Sequence, residues 1–175
     1  MSLPSIQRAL RGGSAVLHFA AHVFEGLPGE RSLPLLAGSP WPSMVRPREI
    51  FLALSLDRGG RPDLLTATTV ASSLSARDAL VVLSGCGSGA GDHLPGAGLQ
   101  GFTSAWLAAG AGSVVASLWP VTDDTGEFFG HFYDRLAGGA PVSQALAAAR
   151  MAALNSRSWR AQPLAWAGYF AMGRE

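Results

Sequence analysis

The sequence predicts an α/β fold with a mainly parallel central sheet, and three observations point there. Residues 80–84 and 113–119 are short apolar runs with the length of buried strands. Segments with helical spacing separate them, and Gly-rich turns close those segments. Strands that alternate with helices favour parallel pairing, because each crossover returns the chain to the same end of the sheet.

Taken in order, residues 14–20 read as a buried strand. Residues 26–47 hold five prolines and read as a loop, with room for a short hairpin through 33–36. Residues 49–56 form a second strand, and Asp57-Arg58-Gly59-Gly60 is turn chemistry. Leu64, Ala67, Ala71 and Leu74 share the spacing of one helix face, which predicts a helix over 64–74. The strand at 80–84 follows, and then a long glycine-rich loop at 85–98. Leu99, Phe102, Trp106 and Leu107 line a helix that Gly110 stops. After the strand at 113–119, Asp124 and Glu127 have capping-box spacing. Phe128, Phe129, Phe132, Tyr133 and Leu136 make the apolar stripe of the helix they open, which ends at Gly138-Gly139. Residues 141–154 form an alanine-rich helix, and 166–172 leave room for a last strand. No internal repeat and no linker interrupts the pattern, so the chain reads as a single domain.

Composition narrows the function. With 175 residues, 48% hydrophobic and 14% charged, the chain can bury one sizeable core. Its 13 basic residues, all Arg, nearly cancel 12 acidic ones and form no run, which argues against a nucleic-acid or membrane partner. The first residues lack the apolar stretch of a signal peptide, and no run reaches the roughly 18 to 20 apolar residues of a spanning helix. A protein of the reducing cytoplasm is expected.

Two segments carry the chemistry. Leu17-His18-Phe19-Ala20-Ala21-His22 and Val81-Val82-Leu83-Ser84-Gly85-Cys86-Gly87-Ser88-Gly89 each run from an apolar strand into a polar, reactive residue. In open α/β sheets, ligand sites collect at strand ends. Cys86 is the single cysteine of the chain and has no internal disulfide partner. It reads either as a buried small hydrophobe or as a thiolate nucleophile whose base comes from another strand. The flanking glycines favour the second, since they let backbone amides approach a ligand. His22, at a strand end, reads as the base, and His18, mid-strand among apolar residues, as a core histidine satisfied by hydrogen bonds. His93 and His131 have no evident partner.

A metal site is not indicated, because one Cys with scattered His lacks the paired spacing of a structural zinc. Gly85-x-Gly87-x-x-Ala90 is not a dinucleotide fingerprint: no helix follows at once, and Ala105 and Trp106 stand where an acidic residue is needed. Asp123 reads either as a helix-start residue or as a carboxylate that receives a basic substrate side chain. Trp106, Trp119, Trp159 and Trp166 read as core or rim packing, and Trp41 as a surface contact.

His18-Phe19-Ala20-Ala21-His22, Leu83-Ser84-Gly85-Cys86, Ala109-Gly110-Ala111, Ser117-Leu118-Trp119-Pro120-Val121 with Asp123, Phe132-Tyr133 and Trp166-Ala167 occur in a fixed order. In that order they resemble CHAT domains, the caspase-like domains often joined to tetratricopeptide repeats. The resemblance implies a caspase-like three-layer sandwich and a cysteine endopeptidase with His22 and Cys86 as its dyad. It implies an oxyanion hole from the backbone amides of Cys86 and Val23, no cofactor, a protein or peptide substrate, and a repeat-domain or activating protein partner. Two departures accompany it. Val23 stands where the family usually has Gly, and about a dozen residues precede the His strand where the family has a further strand and helix. The chain thus resembles the C-terminal part of a fuller domain, and a non-catalytic interaction module of the same fold is the alternative.

Overall fold

The structure, a computed structural model, describes residues 2–13, 15–21, 23–26, 49–56, 62–85, 92–94, 98–119, 121 and 124–174. The central sheet joins β1 (Val16–Phe19), β5 (Leu80–Leu83), β8 (Ser113–Ser117) and β9 (Tyr169–Gly173) in the order β1-β5-β8-β9. The first three strands are parallel and β9 runs antiparallel to β8. A second, antiparallel sheet orders β2 (Val23–Gly26), β3 (Glu49–Leu56) and β4 (Pro62–Thr66).

Strand alternation sends neighbouring side chains to opposite faces, and the two cores divide on that rule. Val81 and Leu83 enter one core with Phe19, Val114 and Ala116. There they meet Val70 of α2 (Ala67–Ser73) and Phe102 and Trp106 of α3 (Phe102–Ala108). Leu52 and Leu65 add the second sheet to this core. Leu80, Val82 and Val115 enter the other core, against Phe128, Phe129 and Phe132 of α4 (Gly126–Ala137) and Ala145, Leu146 and Ala149 of α5 (Val142–Leu154). Helices on both faces of a mainly parallel sheet make the three-layer sandwich that the resemblance implies.

Several elements depart from expectation. α1 (Leu3–Arg11) occupies a segment with no expected element. Its first turn is held by the Ser2 N–H donating to Ser5 Oγ at 2.8 Å, Arg8 and Arg11 suit its C-terminal dipole, and Ile6 is buried in the first core. The expected helix over 64–74 is two elements. Leu64 and Leu65 pair with Ala53 and Leu52 in β4, and α2 starts only after Thr66, whose Oγ1 accepts from the Thr69 N–H at 3.0 Å. Val70, not Ala71, is the buried residue of that helix. Within the expected loop at 85–98, β6 (Asp92–Leu94) pairs with β7 (Gly98–Gln100), so Leu99 belongs to a strand and not to α3.

The N-cap of α4 is Thr125, and Asp124 instead pairs with Arg160. Strand β1 is less buried than expected, since Phe19 is its one fully buried residue and Val16 is exposed. Trp159 is also exposed, whereas Trp106 is fully enclosed. Gly110 does stop α3, at φ +94°, a conformation glycine adopts without strain. The proposed hairpin at 33–36, Trp41 and the turn at 57–60 lie outside the described residues.

Candidate functional site

Parallel strands β1 and β5 run in register, with His18 opposite Val82 and Phe19 opposite Leu83. One residue beyond that ladder, the Ser84 N–H donates to the Phe19 carbonyl at 3.1 Å. The two strand ends are therefore tied together where the His and Cys segments leave the sheet.

Alternation puts His18 on the α4 side of the sheet with Val82, and a polar chain forms there. His18 Nε2 lies 3.0 Å from Ser84 Oγ, and Tyr133 OH lies 2.8 Å from His18 Nδ1. The Ser84 hydroxyl donates to the Phe19 carbonyl at 3.3 Å. The carbonyl can only accept, so the Ser84 hydroxyl is the donor of that contact, and the direction of the two bonds at the His18 ring follows its tautomer.

The electrostatics agree with a neutral chain. Burial lowers the His18 imidazole below its ordinary 6.5, and burial pushes the Tyr133 phenol up to about 12. The Phe129 ring stands 4.8 Å from the imidazole centroid and the Tyr133 ring 5.7 Å. His18 is thus a hydrogen-bonded histidine, as its mid-strand position suggested, but half-buried at the edge of the core. Sequence reasoning missed Ser84 and Tyr133 as its partners. The signal was available for Tyr133, which follows Phe129 by one helical turn on the stripe facing the sheet.

His22, Cys86 and Asp123 lie outside the described residues. Val23 opens β2 opposite Leu52. His131 is exposed on α4, beside a shallow surface pocket that Glu127, Phe128, Arg160 and Trp166 also line. Among the described residues no three of His, Cys, Asp and Glu gather as a metal-binding group, and no helix is long and apolar enough to cross a membrane.

Two curated relatives match part of this chain. Human tetratricopeptide repeat protein 28 is 38% identical over 79 residues, 45% of this chain and 3% of the relative. Its mouse counterpart is 37% identical over 79 residues, with the same coverage. The match therefore spans about 3% of those relatives' length. The CHAT domain family model matches residues 1–174, which is essentially the entire sequence. The three-layer sheet and the family match agree, and this chain belongs to the CHAT domain family.

Proposed function

We propose that the chain is a single CHAT-type cysteine endopeptidase domain in which His22 and Cys86 form the catalytic dyad. The observation that carries this reading is the register of β1 and β5. Phe19 and Leu83 stand opposite each other in adjacent parallel strands, and His22 and Cys86 each follow three residues later in the sequence. Equal offsets from paired positions favour a meeting of the two side chains at the carboxyl end of the sheet.

In this mechanism the His22 imidazole takes the Cys86 thiol proton, and the thiolate attacks a peptide carbonyl. The backbone N–H groups of Cys86 and Val23 stabilise the oxyanion. His22 then returns the proton to the leaving amine, and water hydrolyses the thioester. Asp123 receives a basic residue before the scissile bond, with Arg favoured over Lys because its planar fork meets a carboxylate with two hydrogen bonds. The substrate is a protein or peptide, and the kinship with tetratricopeptide repeat protein 28 supports a repeat-containing protein partner.

Iodoacetamide labelling of Cys86 followed against pH tests the dyad. His22→Ala is expected to slow labelling and to move the thiol toward its ordinary pKa of about 8.5. Equal rates in the two proteins would overturn the reading.

A second reading rests on Val23. This residue belongs to a sheet ladder opposite Leu52, and a β-branched residue there resists the backbone freedom an oxyanion donor needs. A reactive Cys86 without peptide cleavage would favour a non-catalytic interaction module.

A further inference from the structure

The Tyr133–His18–Ser84 chain sits at one place in the sheet, and that place is informative. On the α4/α5 side, the inward residues deeper in the neighbouring strands are Leu80, Val82 and Val115, all apolar. Polar residues replace them toward the carboxyl ends of β1 and β5, where His18 meets both Ser84 and Tyr133. An apolar side chain would fill this position without the partial desolvation that three half-buried polar groups incur. The cost is offset only because each group is bonded in series, ending on the Phe19 carbonyl.

What the chain does is fix geometry. Ser84 binds Phe19 through both its N–H and its hydroxyl, and Tyr133 anchors His18 to α4. In sequence, Ser84 precedes Cys86 by two residues and His18 precedes His22 by four.

We infer that Tyr133, His18 and Ser84 are positioning residues that hold the ends of β1 and β5 at the separation through which His22 activates Cys86. This inference rests on the dyad reading. Among the described residues their hydrogen bonds run to one another and to the Phe19 carbonyl, so the role assigned to them acts through the strand ends. A hydrogen-bond chain suits that task, because it runs unbroken from α4 through His18 of β1 to Ser84 at the end of β5.

The test is the pH profile of iodoacetamide labelling at Cys86 in wild type, Tyr133→Phe, Ser84→Ala, His18→Leu, His18→Gln and His22→Ala. Tyr133→Phe removes one oxygen from a half-buried ring and keeps the fold, as circular dichroism will show. It and Ser84→Ala are expected to slow labelling about three- to tenfold near neutral pH, the range one neutral hydrogen bond supports, and to move the profile to higher pH. His18→Leu is expected to slow labelling further. His18→Gln, whose amide can still hydrogen-bond Ser84, is expected to recover part of that loss. Wild-type profiles for Tyr133→Phe and Ser84→Ala, beside a slowed His22→Ala, would overturn the positioning role and leave the dyad standing. A profile that His22→Ala does not change would overturn the dyad and the positioning role with it.

Discussion

His18 shows how a single side chain is read correctly in kind and incompletely in detail. Its place among apolar strand residues marked it as structural, and burial holds its imidazole below 6.5 in the folded chain. The unfolded chain therefore takes up a proton first as pH falls. This contribution to stability is complete above 6.5 and is lost as pH drops toward the lower native value. Among the described residues, the groups facing the ring are Ser84, the Phe129 ring and Tyr133, whose phenol at about 12 stays neutral throughout this window. Urea unfolding at about pH 8 and about pH 5.5, on either side of an ordinary histidine, should show a smaller loss of stability in His18→Gln than in wild type. Equal losses would assign the titration to another group. Ser84 escaped the sequence reading because a strand-end serine looks the same whether or not a histidine lies beside it, whereas Tyr133 did carry a signal in following Phe129 by one helical turn.

At the scale of elements, legibility followed the number of side chains an element buries. Strands β5 and β8 are buried at every position and were read nearly to the residue, as was α4 with its three enclosed phenylalanines. α1 buries only Ile6 fully, with Leu3 and Leu10 half-buried against the same core, so its helical spacing rests on three apolar residues in nine. The 64–74 segment misled because Leu64 and Leu74 fit a helical period while the strand partners Leu52 and Ala53 lie far away in sequence. Asp124 is a similar case, since capping-box spacing is local and its actual partner Arg160 is not. That pair is partly exposed, at 31% for Arg160 and 52% for Asp124, so its contribution is modest. A double-mutant cycle of Asp124→Ala and Arg160→Ala should give a coupling of up to about 1 kcal/mol. No coupling, with about 1 kcal/mol lost on Asp124→Ala alone, would return Asp124 to the capping role.

At the scale of the molecule, the sheet is shared property. Strand β5 lies between β1 and β8 and sends Leu80 and Val82 into the α4/α5 core, and Val81 and Leu83 into the α2/α3 core. Neither core can lose its packing without disturbing the backbone on which the other is built, so the two faces should unfold as one unit. Val82→Ala tests this, because Val82 is fully buried and belongs only to the α4/α5 side. Its removal should cost about 2 kcal/mol, from lost transfer energy and the cavity left behind. Native-state hydrogen exchange then reads where the loss is felt. The slowest amides of α4 and α5 should lose protection, and the slowest amides of α3, on the opposite face around Trp106, should lose the same amount. A loss confined to α4 and α5 would mean that the faces open independently. In that case, the part of the tie between β1 and β5 that runs through Tyr133 and His18 would depend on the α4 side alone.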